Sequence, residues 1–165
     1  MGDALKPQPE ELRTHDQRAL NAILDRLEAT DIRTWLAGGW AEELSGLIEA
    51  RSHRDIDLLH PARDFKKVEE LFRSSSDAFD EIAAKRFPHK RAFLCQGVMV
   101  ELLLLQPTAS GYSTNFWDRL IFVWPDDVLA KHKGRRVASI SSLAAYRSFH
   151  PRVERLRRSL SGLAF

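Results

Sequence analysis

Residues 35–60 read WLAGGWAEELSGLIEARSHRDIDLLH, and this stretch decides how the chain folds. The short apolar segment 34–37 predicts a strand that stops at Gly38-Gly39, and residues 40–50 carry apolar side chains at helical spacing. Residues 55–60 predict a second strand, which a proline ends. We therefore expect the order strand, diglycine turn, helix and strand.

Two aspartates, Asp55 and Asp57, occupy alternate positions of the second strand. Because residues two apart share a face, their carboxylates should lie side by side, with Ile56 buried behind them. Like charges that close repel unless a cation lies between them, and Mg²⁺ binds one or two carboxylates together with substrate phosphates. Such pairs also occur on strand edges and in turns without metal, so the pair alone leaves both interpretations open.

Gly38 and Gly39 join the first strand to a helix. Two residues without side chains at that position would expose backbone N–H groups at a helix N-terminus, which suits the phosphates of a nucleoside triphosphate. An ordinary tight turn is the alternative. The combination of the turn, a helix and the aspartate pair in that order favours the phosphate site.

A third carboxylate would complete a site for two ions or serve as the base toward an incoming hydroxyl. Glu101 is the one acid within the apolar run 97–105. Burying an unpaired charge there would cost on the order of several kcal/mol in lost hydration, unless a partner of opposite charge compensates it. We predict that Glu101 is the third acid; a glutamate facing solvent from its strand is the alternative.

The rest of the chain predicts a mixed α+β fold in which helices pack on a mixed sheet, followed by short C-terminal helices. Residues 1–8 should form a flexible tail and residues 9–165 a single domain. The predicted helices are 9–30, 63–73, 142–149 with Ser141 as N-cap, and a basic helix from Pro151. The predicted strands are 80–85, 91–95, 98–105, 120–124 and 136–140, with a loop at 106–118.

Composition excludes several classes of function. The 165 residues carry a net charge of only +2, so the overall charge does not indicate that the chain binds a polyanion. Cys95 is the one cysteine, which rules out an internal disulfide, and no apolar run is long enough to span a membrane. The N-terminus lacks the apolar core of a signal peptide, so we expect a cytoplasmic protein.

Residues 35–41 and 51–58 resemble the core of the small antibiotic nucleotidyltransferases. These are the aminoglycoside 2″-adenylyltransferase and lincosamide nucleotidyltransferase group of the polymerase-β-like superfamily. Their pattern is an apolar strand, Gly-Gly-Trp, a helix, a His-x-Asp-x-Asp strand and a later acid on an adjacent strand. The clear match covers residues 35–60, whereas 98–107 and 136–158 fit more loosely.

The resemblance implies a nucleotidyltransferase fold and assigns roles to the residues quoted above. Gly38 and Gly39 would bind the nucleotide phosphates. Asp55 and Asp57 would ligate Mg²⁺, with room for two ions, and Glu101 would be the third metal-binding and catalytic acid.

The third acid departs from the family pattern, which more often has Asp. An ungapped alignment on Pro107 would place Leu104, and not Glu101, at that position. Both alignments remain open from the sequence.

Three further residues are candidates for nucleotide binding. His53 would share the aspartates' face and orient a carboxylate or touch phosphate, or else lie in a loop. Trp40 would stack on the nucleotide or pack in the core. Arg147 would contact triphosphate from the C-terminal region, where residues 147–158 carry five arginines against Glu154. That run is either a solvated helix face or a surface for an anionic partner.

Aromatic side chains on both sides of Leu120 have two interpretations: they wall an acceptor pocket or belong to the core. They are Tyr112, Phe116, Trp117 and Trp124.

The predicted function is Mg²⁺-dependent transfer of a nucleoside monophosphate, AMP from ATP in the first instance, to a hydroxyl of a small acceptor such as an aminoglycoside or lincosamide. The predicted partners are the triphosphate and this acceptor, with no membrane and no nucleic acid, and a homodimer stays open. The alternatives are a catalytically inactive protein of the same fold, which binds a nucleotide or a partner protein, and a nucleic-acid binder acting through the basic helix.

Overall fold

A computed structural model describes residues 9–162, with side chains described from residue 16 onward. The predicted tail 1–8 lies outside the described residues, and the domain boundary at residue 9 stays a prediction. The helices are α1 (Pro9–Glu28), α2 (Gly38–Leu44), α3 (Lys66–Ser74) and α4 (Ile140–Gly162). The strands are β1 (Trp35–Ala37), β2 (Asp55–Pro61), β3 (Asp80–Glu81), β4 (Lys90–Cys95), β5 (Val98–Thr108), β6 (Gly111–Phe116), β7 (Leu120–Val123), β8 (Leu129–His132) and β9 (Arg135–Ala138), with a 3₁₀ turn at Ala83–Lys85.

The sheet is mixed, as predicted. Its main path runs β3-β4-β5-β2-β1-β9-β8, and β6 and β7 continue from the far end of β5. Strand β2 is antiparallel to β1 and parallel to β5, while β1 is parallel to β9. The predicted mixed α+β architecture is therefore confirmed.

A tight turn fixes the register between β4 and β5. Cys95 pairs with Val98, so Gln96 and Gly97 form a two-residue connection, and both have positive φ, 52° and 76°. Two positive φ angles characterise the turn whose twist matches that of the flanking strands. This turn sets which β4 residues lie beside Glu101.

The core lies where α1 and α3 cover the sheet. Val68 and Phe72 of α3 are buried, and the Phe72 ring meets Phe93 of β4 with centroids 5.6 Å apart. Each such side chain contributes about 1.5–3 kcal/mol of burial free energy. The predicted first helix is present as α1, which buries Leu20, Ile23, Leu24 and Leu27.

Three predictions within residues 40–118 were wrong. Helix α2 ends at Leu44 instead of residue 50, because it is followed by a turn in which Gly46 has φ +75°. The predicted loop 106–118 contains β6, since β5 continues to Thr108 and pairs back onto Gly111. The predicted strand 80–85 ends at Glu81, and the 3₁₀ turn takes its last residues.

The predicted short C-terminal helices are one helix of 23 residues, α4, with Pro151 inside it. An interior proline costs about 3 kcal/mol. The helix continues because its apolar stripe does: Leu143, Tyr146, Phe149, Val153 and Leu156 all pack against the core on both sides of the proline. Its N-cap is Ser139 and not Ser141, since the Ser139 hydroxyl accepts the backbone N–H of Ser142 at 3.1 Å.

The register aligns one row of residues across four strands. Ala37, Asp57, Glu101 and Ala92 lie side by side on β1, β2, β5 and β4. Residues directly opposite one another in a sheet share a face. Within the described chain, no helix has the length and apolarity to cross a membrane.

Candidate active site

Three carboxylates meet on this face of the sheet. Asp57 lies directly beside Glu101 in the register of β2 and β5, and Asp55 shares their face two residues earlier. One carboxylate oxygen from each residue lies within 4.8 Å of the others. Leu104, the alternative third position, is three residues beyond Glu101 and therefore points to the opposite face.

The electrostatics of the two aspartates favour a bound cation. Burial, reinforced by the charges of Asp55 and Glu101, raises the pKa of Asp57 from 3.8 to about 7. Burial and the charge of Glu101 also raise the pKa of Asp55. Carboxylates that resist ionisation together release this repulsion when a hard cation with oxygen ligands binds between them. The donor set therefore fits Mg²⁺, with Asp55 and Asp57 as the residues that would hold it.

Glu101 differs from the two aspartates because its carboxylate forms ion pairs with two lysines. Lys85 Nζ donates to Oε1 at 2.7 Å and Lys90 Nζ donates to Oε2 at 3.1 Å. Burial acts to raise the pKa of Glu101, but the charge of Lys90 and the hydrogen bonds from both lysines outweigh it, so the pKa lies below its usual value. Glu101 is therefore ionised, and the compensation expected for its charge is supplied by lysine.

The diglycine turn lies directly against the acidic group. Gly38 has φ +61°, and a β-carbon built there would be 2.2 Å from Asp57 Oδ2 and 2.8 Å from Asp57 Cβ. Only glycine fits a position with both a left-handed backbone and this contact. The predicted proximity of the turn and the aspartate pair is thus observed.

His53 packs on the other glycine of the turn. A β-carbon at Gly39 would lie 2.7 Å from His53 Nδ1, and His53 Nε2 lies 3.2 Å from Glu43 Oε1. The imidazole also tilts against Trp40, with ring centroids 4.5 Å apart. Trp40 is only 5% exposed. The structure therefore gives Trp40 a packing position and places His53 beside the turn; a contact of either with nucleotide stays a prediction.

A cavity of about 560 Å³ opens in front of Asp57, Glu101 and the turn. This volume suits a nucleotide or a drug-sized molecule. Its charged and polar lining comprises Gly38, Gly39, Glu42, Arg51, Asp57, Lys90, Glu101, Arg147 and His150, and its other walls are formed by residues such as Leu103, Trp124, Leu143 and Tyr146.

Arg147 lines this cavity, as expected for a residue that contacts triphosphate, but it already has a partner. Its Nε donates to Glu42 Oε2 at 2.5 Å and its Nη2 donates to Glu42 Oε1 at 2.7 Å. Glu42 is buried, whereas the Arg147 side chain is 58% exposed. This bidentate pair joins α2 to α4.

Of the four aromatic residues proposed as a pocket wall, Trp124 lines the cavity. Its indole N–H donates to Thr114 at 2.9 Å, and its ring stacks on Tyr146 at 5.1 Å. Trp117 instead packs on His89, with centroids 4.5 Å apart.

Sequence reasoning missed Lys85, Lys90, Glu42 and Tyr146. The Gln96-Gly97 turn is the signal that would have placed Lys90 near Glu101. Counting back from a two-residue turn pairs Ala92 with Glu101 and puts Lys90 on the same face.

Solved structures with this fold include antibiotic-modifying enzymes. The lincosamide antibiotic adenylyltransferase LnuA, bound to lincomycin, is 18% identical over 79% of this chain and 84% of its own, with a TM-score of 0.61. A protein from Thermotoga maritima assigned as a nucleotidyltransferase is 21% identical over 91% and 95%, with a TM-score of 0.55. The antibiotic-resistance factor ANT(2″)-Ia is 16% identical over 91% and 93%, with a TM-score of 0.53. At these identities the likeness shows the fold.

Sequence comparison supplies the family. No curated protein matches the chain. The sequence profile of the aminoglycoside-2″-adenylyltransferase family matches residues 19–151, which include the turn, the three acids and Arg147. This match confirms the resemblance drawn from residues 35–60. The chain is a nucleotidyltransferase and belongs to the aminoglycoside-2″-adenylyltransferase family.

Proposed function

We propose that the protein transfers a nucleoside monophosphate, AMP from ATP in the first instance, to a hydroxyl group of a small antibiotic-like acceptor. One observation carries the proposal. Asp55, Asp57 and Glu101 converge from two adjacent strands to within 4.8 Å, and Gly38 touches Asp57 where the cavity opens. This arrangement supports a cation site and a backbone phosphate site that share one cavity.

Asp55 and Asp57 hold the divalent ion in this proposal, and Glu101 is the third acid. When bound, Mg²⁺ supplies the positive charge that the transferred phosphoryl group needs in the transition state. The N–H groups of the Gly38-Gly39 turn face the triphosphate, and Arg51 and Arg147 add charge from the cavity wall. Catalysis then comes mostly from positioning and electrostatic stabilisation.

The reaction is an in-line displacement. The acceptor oxygen forms a bond to the α-phosphorus, the bond from that phosphorus to the bridging oxygen breaks, and pyrophosphate leaves with the electron pair. Glu101 is ionised, so its carboxylate is able to accept the hydroxyl proton as the oxygen attacks.

The acceptor lies, we propose, against the apolar wall made by Trp124, Tyr146, Leu103 and Leu143. Two solved neighbours support an antibiotic as the acceptor class: LnuA was solved with lincomycin bound, and ANT(2″)-Ia was solved in complex with adenylyl-2″-tobramycin. The cytoplasm, which holds the triphosphates, is the proposed location.

A screen of pyrophosphate release tests this function. Purified protein is incubated with ATP and Mg²⁺ against a panel of aminoglycosides and lincosamides, and products are identified by mass spectrometry. We expect release with at least one acceptor, a product heavier by one AMP, and loss of both on chelation by EDTA. ATP binding without release on any acceptor would contradict the proposal and favour the inactive alternative.

A further inference from the structure

Both oxygens of Glu101 are occupied by ammonium groups, and this limits how many metal ions the site can hold. Lys85 takes Oε1 at 2.7 Å and Lys90 takes Oε2 at 3.1 Å. The Glu101 side chain is 11% exposed, and that of Lys90 is 28% exposed. Partly buried ion pairs of this kind are screened less by solvent than surface pairs.

The fold builds this contact from two directions. Lys90 lies on β4 two residues before Ala92, the direct neighbour of Glu101, so it shares the face of the acids. Ala92 itself offers only a methyl group on that face. Lys85 reaches the same carboxylate from the 3₁₀ turn Ala83–Lys85. Lys90 lines the cavity, and the lining does not include Lys85.

The charges favour one divalent ion over two. When all are ionised, the three carboxylates carry three negative charges, and the two lysines return two positive ones. A first ion between Asp55 and Asp57 relieves the repulsion between two carboxylates whose oxygens lie within 4.8 Å of each other. A second ion on Glu101 would have to displace a lysine ammonium and then lie beside it, and breaking a partly buried pair leaves an uncompensated charge.

We propose that Lys90 takes the place of a second metal ion: the site holds one divalent ion between Asp55 and Asp57, and the Lys90 ammonium, anchored by Glu101, supplies the other positive charge facing the substrate phosphates. The inference rests on the proposed function, because it concerns the same site. It adds a second role to that of Glu101 as proton acceptor, which is to hold the lysine that stands in place of a second ion.

Counting bound ions tests the proposal. Mn²⁺ bound per protein is measured by equilibrium dialysis with electron paramagnetic resonance of free Mn²⁺, in the presence of a saturating non-hydrolysable ATP analogue and with an analogue-only reference. We expect one ion for the wild type, two for Lys90→Met, and one for Lys90→Arg, which keeps the charge. Lys67→Met, which removes an exposed lysine paired with Asp31, should also bind one.

The following results would contradict the proposal or the function on which it rests. Two ions in the wild type, or one ion in a folded Lys90→Met variant, would overturn the proposal while leaving the nucleotidyl transfer reaction standing. If the wild type binds no Mn²⁺ with the analogue and also releases no pyrophosphate, the proposed function itself fails. Circular dichroism and thermal unfolding of each variant establish that the folded protein is being counted.

Discussion

Gly38 and Asp57 are in contact: the α-carbon of Gly38 faces the carboxylate so closely that a β-carbon would lie 2.2 Å from Asp57 Oδ2. The contact joins the turn after β1 to the middle of β2, and it places backbone amides beside the acids. The distance from Asp57 Cβ, 2.8 Å, matters as much, because that atom cannot move without moving the strand.

The first prediction concerns Gly38→Ala. The substitution should lower the free energy of unfolding by about 3 kcal/mol, of which about 1–2 kcal/mol is the cost of a left-handed backbone and the rest the displacement of Asp57. Transfer activity should fall with it. Urea unfolding and pyrophosphate release measure the two effects.

Gly46→Ala is the matched control for that variant. Gly46 also has positive φ, +75°, but a β-carbon there meets nothing within 4 Å. Gly46→Ala should therefore lose only the free energy that a left-handed backbone costs, and it should keep its transfer activity. Equal stability and equal activity in the two variants would contradict the role given to the contact.

The second prediction concerns pH. Because the pKa of Asp57 is raised from 3.8 to about 7, the folded protein retains a proton that the unfolded chain has released between about pH 4 and pH 7. The metal-free protein should therefore lose stability as the pH rises through this window, on the order of a few kcal/mol, and stay at the lower level above it. Thermal unfolding of wild type and Asp57→Asn is measured across this pH range. The difference in stability between the two proteins gives the contribution of the Asp57 proton.

Mg²⁺ should reverse that loss. At pH 8 a metal that binds the folded state alone raises the melting temperature as its concentration increases. We expect this shift in the wild type and its absence in Asp57→Asn. Two results would contradict the electrostatic basis of the cation site. One is a stability difference between wild type and Asp57→Asn that does not change with pH, and the other is an equal rise in melting temperature with Mg²⁺ in both proteins.

The third prediction concerns Arg147 and Glu42. Arg147→Ala leaves the buried Glu42 carboxylate without its bidentate partner, which should cost about 1–3 kcal/mol. The double variant with Glu42→Ala should cost less than the sum of the single variants. Urea unfolding of the four proteins gives the coupling energy, and strict additivity would show that the pair does not stabilise the joint between α2 and α4.

The fourth prediction concerns Tyr146, whose ring packs on Trp124 and lines the cavity. Tyr146→Phe retains the ring packing, so its stability should change by less than about 0.5 kcal/mol, while KM for the acceptor rises. Tyr146→Ala should instead lose about 3–5 kcal/mol of stability. An unchanged KM in Tyr146→Phe would place the acceptor elsewhere in the cavity.

Local rules predicted the centre of the site. The period of two along β2 placed Asp55 and Asp57 together, and the apolar run around Glu101 made it the acid that needed a partner. Gly38 was identifiable because a strand followed by two glycines and a helix is a local signal.

Contacts between distant segments were beyond those rules. Lys85 reaches Glu101 from the 3₁₀ turn Ala83–Lys85, and Arg147 reaches Glu42 across 105 residues of sequence. Helix α4 continues through Pro151 because tertiary packing on both sides outweighs the local cost of the proline. The free energy contributed by contacts between distant segments cannot be predicted from the local sequence pattern.

The central claim is that the acids beside Gly38 carry out nucleotidyl transfer. The most direct measurement is single-turnover transfer from α-labelled ATP to an accepted antibiotic by wild type and by a folded Asp57→Asn variant. We predict a loss of about 10²-fold or more in the variant, as expected for removal of a group that stabilises the transition state. Transfer at the wild-type rate by Asp57→Asn would contradict the claim.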